Sequence, residues 1–332
     1  MKQQGNLGAL LQAYFTERLM RQQGASAHTI ASYRDTFRLL AAFVERKLKK
    51  APSCLAVADL DLRTILGFLG SLENERGNSP RTRNCRLAAI HSFFAFVARQ
   101  EPALAGLAQQ VLAIQGKRFG KRAIDYLTRT EISALLNAPL TTTWSGQRDR
   151  TMLLLAVETG LRVSELTGLR CEDFVPGRGS HVACRGKGRK LRCVPLRRET
   201  ESDVRRWLKT RGGIPSDILF PSARGGALSR DGVQYMLAKH LATARSKCPS
   251  LIHKRVSPHV LRHSTAMRLL ESGVDCSVIA LWLGHETLET TQIYLHASLE
   301  LKERALAKTQ SPSGQMRRYT PPDGLMSFLN SL

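Results

Sequence analysis

Four side chains in the segment 257–296 are of the types that bind a phosphodiester and attack it. They are His259, Arg262, His285 and Tyr294. Arginine and histidine donate hydrogen bonds to phosphate oxygens, and a tyrosine hydroxyl becomes a nucleophile once it loses its proton. The four residues fall at the ends and breaks of short predicted helices. This segment therefore predicts chemistry on a phosphodiester.

The helix predicted to begin at Pro258 favours an anion at its start. Proline at the first helical position puts His259 and Arg262 in the opening turns, where free backbone N–H groups and the helix dipole attract negative charge. A capped helix with an incidental histidine is the alternative. His259 and His263 have a spacing that zinc ligands can adopt, but no HExxH pattern and no cysteine pair completes a site. We predict no metal and no cofactor.

Two further cations lie upstream. Arg162 follows an almost wholly apolar predicted helix and a Thr159-Gly160 break, so its position is expected to be rigid, as a phosphate clamp requires. Lys187 lies between two glycines at the tip of a predicted hairpin whose strands are His181–Arg185 and Lys190–Pro195. That placement predicts a mobile, exposed ammonium group, although a solubilising turn lysine gives the same pattern.

The interpretation of Tyr294 depends on the arginines, histidines and lysine named above. Most tyrosines are half-buried packing residues, and the chain has six. Because the sequence shows no acidic cluster that would bind Mg²⁺, guanidinium groups must stabilise the charge on the non-bridging phosphate oxygens. A tyrosine with a pKa near 10 attacks poorly until such cations favour its phenolate. The set predicts Tyr294 as a nucleophile.

Charge indicates a polyanionic partner. The net charge is +23, and residues 1–120 carry 17 Lys and Arg against 8 Asp and Glu, a net +9, which leaves +14 for the remainder. Two basic domains that bind the same duplex would give this distribution, although a ribosomal or merely cationic surface is the alternative. Seven scattered cysteines without a CxxC pair favour a reducing compartment. We expect no signal peptide and no membrane span, and a cytoplasmic, nucleoid-associated bacterial protein.

The chain divides into four predicted regions. These are a helical DNA-binding domain at 1–110, a linker at 111–124, a second domain at 125–310 and a tail at 311–332. Four helices around a Leu/Phe core are expected in the first domain, with Ser26 and Ser79 as N-caps. Five cations are candidates for phosphate contacts, although arginines on a helix often form only a solvated face. Three lie in the first domain, Arg81, Arg83 and Arg86, and two lie in the predicted linker, Lys117 and Arg118.

At this point the motifs carry a resemblance to a known family. The sequence resembles a tyrosine recombinase of the phage-integrase type, in particular bacterial Xer-like and mobile-element integrases. The motifs are Thr159-Gly-Leu-Arg162-Val-Ser-Glu165-Leu, Gly186-Lys187-Gly188-Arg-Lys, His259-x-x-Arg262-His263, Leu283-Gly284-His285 and Thr290-Thr-x-x-Tyr294-x-His296. The resemblance implies a mainly α fold with a small antiparallel sheet, in which a helical core-binding domain and a catalytic domain close around DNA.

The resemblance also implies a role for each matched residue. Arg162, Arg262 and His285 would hold the scissile phosphate, and His259 would assist proton transfer near the nucleophile. Lys187 would protonate the departing 5′ oxygen, and Glu165 would support the site. Tyr294 would attack phosphorus and form a 3′-phosphotyrosyl link without metal or ATP.

Partners follow from the same resemblance. We expect double-stranded DNA with paired recombination sites, a homotetramer that passes through a Holliday junction, and a related recombinase or accessory proteins. The apolar end of the tail, 322–332, is expected to dock into a neighbouring protomer, with a disordered end as the alternative. A type IB topoisomerase and a non-catalytic DNA-binding accessory protein are the alternative functions. Integration, excision, transposition and dimer resolution all remain open.

Overall fold

The computed structural model describes residues 5–120, 124–186, 191–212 and 217–285, together with Thr287, Thr290, Thr291 and Tyr294. The chain divides into two compact units, residues 1–122 and 123–332. Each unit has a hydrophobic core of its own. In the described part of the chain, no helix is long and apolar enough to cross a membrane.

Helices account for nearly all regular structure in the first unit. Its helices are α1 (Leu7–Ala13), which continues as a π-helix (Tyr14–Gln22), α2 (Ala27–Leu48), α3 (Leu62–Asn74), α4 (Pro80–Gln100) and α5 (Ala105–Leu112). Short 3₁₀ turns occupy Pro52–Cys54, Val57–Asp59 and Pro102–Leu104.

Helices also dominate the second unit, which adds a small sheet. Its elements are α6 (Arg129–Leu136), α7 (Trp144–Thr159), α8 (Val163–Gly168), β1 (Phe174–Val175), β2 (His181–Arg185), β3 (Leu191–Pro195), α9 (Arg198–Arg211), α10 (Arg230–Lys247), α11 (Pro258–Glu271) and α12 (Cys276–Leu283). The 3₁₀ turns are Cys171–Asp173 and Pro249–His253. The predicted fold class, mainly α with a small antiparallel sheet, is confirmed.

Local capping signals set where the first unit's helices begin. The hydroxyls of Ser26 and Ser79 accept hydrogen bonds from backbone N–H groups three residues later, as predicted. The helices enclose an aromatic core in which Tyr14, Phe37 and Phe93 meet edge to face with ring centroids 5.2–6.3 Å apart. This geometry is favourable because a positive ring edge meets a negative ring face.

The predicted linker at 111–124 begins too early. Val111 and Ile114 are buried in the core of the first unit. Further along, the side chain of Asn84 bonds both the backbone N–H and the backbone carbonyl of Lys117. Helix α5 was missed because its eight residues are mostly alanine, glycine and glutamine, with only three large apolar residues to mark a buried face. The packed part of the first unit therefore reaches at least Lys117.

The sheet of the second unit contains the predicted hairpin and one additional strand. Strands β2 and β3 pair antiparallel with Ala183 opposite Cys193, and β1 adds to the other edge of β2. Val182 and Val194 point into the core, whereas neighbouring positions are more exposed. Strand β1 was not predicted because it spans only two residues, too few to show an alternating pattern.

Three helices of the second unit are bound together by side-chain contacts with backbone carbonyls. Helix α11 packs against α7 and α12, and the hydroxyl of Thr265 donates to the carbonyl of Val157 at 2.9 Å. The indole N–H of Trp282 on α12 donates to the carbonyl of Thr159 at 3.1 Å. These bonds bring the C-terminal ends of α7 and α12 to the first turns of α11.

Candidate functional site

A buried carboxylate links two arginines at one end of the second unit. Arg162 is the N-cap residue of α8 and donates from Nη1 to Glu165 Oε1 at 3.0 Å. Arg192, on β3, donates to both oxygens of the same carboxylate at 3.0 and 2.8 Å. Burial raises the pKa of Glu165, but the hydrogen bonds from Arg192 and from the Arg162 backbone outweigh it, so the pKa lies below its ordinary value.

Arg262 spans the ends of two helices. Its guanidinium donates from Nη1 to the carbonyl of Gly160 at 2.7 Å and from Nη2 to the carbonyl of Leu283 at 2.6 Å. The residue is 3% exposed. Burial, and then the positive charge of Arg162, lower the pKa of Arg262 to about 10, which still leaves it charged at neutral pH. Arg262 is thus a fixed cation in a dry environment.

Two glycines permit this close approach. Gly160 and Gly284 end α7 and α12 in the left-handed conformation, with φ of 65° at each. A Cβ at Gly160 would lie 2.6 Å from a methyl group of Leu283, and one at Gly284 would lie 2.8 Å from Nη1 of Arg192. Residues with side chains would therefore push apart the helix ends that hold the arginines.

His285 follows directly after Gly284. Its Nδ1 is hydrogen-bonded to the hydroxyl of Thr291 at 2.7 Å, and its ring stacks on that of Tyr294 with centroids 6.4 Å apart. Burial, and then the charges of Arg262 and Arg162, lower the pKa of His285 to about 4. His285 is consequently neutral at pH 7, and its free ring position is available as a single hydrogen-bond donor or acceptor.

The hydroxyl of Tyr294 is bound to a histidine that the sequence did not single out as functional. Tyr294 is 1% exposed, and its Oη lies 2.9 Å from Nδ1 of His263. We expected His259 to be the histidine near the nucleophile. In the structure His259 lies one turn before His263 and contacts the His263 ring, and His263 contacts the Tyr294 hydroxyl. Burial raises the pKa of Tyr294 to about 12, and the nearby Arg262 charge opposes that increase.

The structure thus brings together five of the predicted residues. They are Arg162, Glu165, Arg262, His285 and Tyr294. Lys187 lies outside the described residues, although the strands of its hairpin are described on both sides. His259 is exposed in the first turn of α11, whose predicted start at Ser257-Pro258 is confirmed.

Sequence reasoning missed Arg192 and the function of His263. Arg192 lies on β3 opposite Cys184, but nothing local indicates that its partner is a carboxylate 27 residues earlier. For His263, sequence reasoning weighed only a zinc-ligand role. The available signal was its spacing of four residues from His259, which puts both side chains on one face of α11.

The basic residues of the first unit that were predicted to contact DNA divide into two groups, those that bond to neighbouring helices and those that are exposed. Arg83 is 6% exposed and pairs with Glu73 on α3, and Arg86 donates to the carbonyl of Ser32 and the hydroxyl of Thr36 on α2. The guanidinium groups of these two residues connect α4 to its neighbours, and their predicted phosphate contacts stay predictions. Arg81, Lys117 and Arg118 are exposed, and Lys117 also reaches Glu73 at 2.8 Å.

Family models match both units. Residues 125–300 match the phage integrase family, and residues 13–101 match the N-terminal SAM-like domain of phage integrases. The chain belongs to the phage integrase family. This membership confirms the predicted class, a tyrosine-type site-specific recombinase that cleaves and rejoins DNA, and favours it over a topoisomerase or a non-catalytic binding protein.

Curated relatives agree with this assignment. A protein of Sinorhizobium fredii named as an integrase/recombinase, y4rC, is 53% identical over the full length of both chains. The tyrosine recombinase XerD of Pseudomonas putida is 33% identical over 86% of this chain and 91% of its own length.

Solved structures share the fold. The XerH site-specific recombinase in a post-cleavage complex with its difH substrate aligns with a TM-score of 0.67, 23% identity, and 86% and 81% coverage of the two chains. The integrase of transposon Tn1549, bound to transposon right-end DNA, gives a TM-score of 0.70 with 17% identity and coverage of 90% and 98%.

The Glu165–Arg192 pair leads to a prediction about stability. Arg192→Met removes one partner and leaves the carboxylate buried, so we expect a loss of about 3 kcal/mol in the free energy of unfolding at pH 7. The depressed pKa of Glu165 contributes stability above the ordinary glutamate pKa of 4.5, and that contribution disappears as pH falls through the lowered value. The difference from wild type should therefore shrink in acid.

Urea unfolding at several pH values measures this effect. Arg206→Met is the matched control, because Arg206 is largely exposed and pairs with Asp203 on the surface, so its midpoint should change little. A loss in Arg192→Met that stays constant between pH 7 and pH 3 would contradict the role given to the pair.

Proposed function

We propose that this recombinase cleaves DNA through a 3′-phosphotyrosyl intermediate at Tyr294, without metal or ATP. The observation that carries the proposal is the convergence of Arg262, His285 and Tyr294 in one buried place, with Arg162 beside them. Fixed guanidinium groups in a dry site stabilise a phosphorane-like transition state strongly, because no reorganisation is needed when charge develops. The proposal assigns the chemistry to side chains alone.

The scissile phosphate would be held by three groups. Arg262 would donate from the N–H groups not used by the Gly160 and Leu283 carbonyls, and Arg162 from the edge not used by Glu165. His285 would add a third donor to a non-bridging oxygen. Support for this division comes from the backbone contacts, which fix each guanidinium plane before the DNA arrives.

Strand exchange would then proceed by two transesterifications. Tyr294 Oη forms a bond to phosphorus as the bond to the 5′ oxygen breaks, and the departing oxygen takes a proton from Lys187. The tyrosyl ester conserves the free energy of the phosphodiester, so a 5′ hydroxyl from a partner strand can reverse the reaction without ATP. Two such rounds, through a Holliday junction, would complete recombination between paired sites.

Assembly and location form the wider part of the proposal. We propose a homotetramer on double-stranded DNA, with a related recombinase or accessory proteins as further partners. The strong positive charge of both units supports DNA as the partner. Arg81, Lys117 and Arg118 remain candidates for backbone contacts because they are exposed. We also propose that the protein acts in the cytoplasm, at the nucleoid.

The tail at 311–332 lies outside the described residues, and we propose that its apolar end docks into a neighbouring protomer. The acceptor would be a cavity of about 680 Å³ in the second unit. Apolar side chains line part of this cavity, namely Leu136, Leu154, Leu269 and Trp282. They match the leucines, methionine and phenylalanine of 325–329 in chemistry.

Covalent capture tests the central step. Wild type and Tyr294→Phe are incubated with labelled DNA from the ends of the genetic element that carries this gene, and the products are denatured in detergent. We expect a protein–DNA band with wild type only. A band of equal strength in Tyr294→Phe would show that another residue is the nucleophile.

Arg262→Lys should reduce the cleavage rate by at least about a hundredfold, although the charge is kept. A lysine presents its three donors from a single nitrogen, so it cannot reproduce the planar fork by which Arg262 spans the Gly160 and Leu283 carbonyls and still reaches a phosphate oxygen. Single-turnover cleavage of a nicked duplex measures the rate. Arg245→Lys is the control. Arg245 lies on α10, and it also bridges two backbone carbonyls, those of Leu251 and Lys254. Near-wild-type cleavage by Arg262→Lys would remove Arg262 from the phosphate site.

Lys187→Ala should slow cleavage of ordinary DNA strongly, since the 5′ oxygen leaves poorly without a proton. Cleavage of DNA with a 5′-bridging sulfur should be nearly normal in the same variant, because a thiolate leaves without protonation. The ratio of the two rates is the readout. An equal defect on both substrates would contradict the general-acid role.

Deletion of 322–332 should abolish the pairing of two DNA sites while leaving binding to one site intact. Native gel electrophoresis separates the paired and unpaired complexes. Leu269→Asp, in the cavity of the otherwise intact chain, should give the same defect by making the acceptor polar. Normal pairing by the shortened chain would exclude the docking.

A further inference from the structure

The Tyr294 hydroxyl has an imidazole partner for which the predicted mechanism has no function. Nδ1 of His263 lies 2.9 Å from Tyr294 Oη, and the rings meet edge to face with centroids 5.6 Å apart. A proton acceptor must lie within about 2.6–3.2 Å of the group it deprotonates. His263 satisfies this requirement in the DNA-free protein.

The neighbouring histidine has a different position. His259 lies one helical turn before His263, and the two rings are 5.2 Å apart. The hydroxyl of the nucleophile is therefore adjacent to His263, and His259 is the next imidazole along the same helix face. Any assistance that His259 gives to proton transfer would reach the tyrosine through His263.

We propose that His263 is the catalytic base for Tyr294, an inference that rests on the proposed function. As Tyr294 Oη bonds to phosphorus, its O–H bond breaks and the proton moves to Nδ1, which makes His263 an imidazolium. The bond from phosphorus to the 5′ oxygen breaks, and that oxygen takes its proton from the separate acid. On rejoining, the imidazolium returns its proton to the departing tyrosyl oxygen.

The charges around His263 are consistent with this assignment. On its own helix it faces His259 and Arg262, and from the segment before α6 it faces Asp125. Burial, and then the charges of His259 and Arg262, lower the pKa of His263 to about 4, while Asp125 opposes the change. His263 is therefore neutral at pH 7, and with its proton on Nε2 it offers a lone pair on Nδ1.

Substrate binding would increase the basicity of His263. An anionic phosphodiester on Arg162 and Arg262 offsets the positive charges that lower the pKa, so the imidazole becomes a better proton acceptor when DNA is bound. Tyr294, with its pKa raised by burial, gains a local acceptor instead of relying on hydroxide from solvent.

His263→Asn separates proton acceptance from hydrogen bonding. The asparagine oxygen lies close to the position of Nδ1 and can accept a hydrogen bond from Tyr294, but it does not take up a proton near neutral pH. We measure the single-turnover rate of covalent product from pH 6 to pH 9.5 on a nicked duplex from the element's end. The matched control is His259→Asn on the same helix.

We expect His263→Asn to be slower than wild type by about 10²–10⁴-fold at pH 7, with a rate that increases tenfold per pH unit as hydroxide replaces the base. Replacing Tyr294 by a difluorotyrosine, whose phenol is more acidic, should restore much of that rate and change wild type little. A purely structural function of His263 would show neither the pH dependence nor the rescue.

Three results would overturn the inference. The first is cleavage by His263→Asn within threefold of wild type at every pH. The second is a loss of cleavage rate in His263→Asn that depends neither on pH nor on the fluorinated tyrosine. The third is a pH-dependent loss and a rescue by the fluorinated tyrosine in His259→Asn instead of His263→Asn. A wild-type protein that never forms a covalent link would reject the proposed function itself, whereas a link that forms normally in His263→Asn would reject this inference alone.

Discussion

The buried contact between Glu165 and two arginines is the interaction on which the site depends. Arg162, Arg192 and Arg262 lie close enough to influence one another's charge, and Glu165 is the carboxylate bonded to two of them. One buried negative charge among three guanidinium groups leaves a local excess of positive charge. That excess is energetically costly where a cation is buried without a partner. In the proposed function, an arriving phosphate would relieve that excess.

Helix ends provide the remaining stabilisation. The carbonyls of Gly160, Leu283 and Gly284 lie at the C-terminal ends of α7 and α12, where they lack partners within their helices, and the arginines satisfy them. The negative ends of both helix dipoles point at the same cations. Arginine position and helix position are therefore coupled, because moving α12 relative to α7 would break bonds to both Arg262 and Arg162.

Local signals predicted much of this fold, and nonlocal partners explain what was missed. The caps at Ser26, Ser79 and Thr128 and the glycine end of α7 are encoded within four residues, so they could be predicted. The burial of Arg83 could not, because it depends on Glu73 from another helix. Arg192 was missed for the same reason, since its partner Glu165 comes from a helix far from it in sequence.

The resting site also determines the protonation state of Tyr294, the proposed nucleophile. Tyr294 is enclosed by apolar residues of α11 and α12, including Met267 and Leu283, and burial keeps its hydroxyl protonated. Arg262 lowers the cost of forming a phenolate, but it cannot remove the proton, because a guanidinium has no lone pair to offer. Cation and base are distinct requirements in this pocket. In the proposed mechanism the arginines stabilise the attacked phosphate, and the neutral imidazole in contact with the hydroxyl removes its proton at neutral pH.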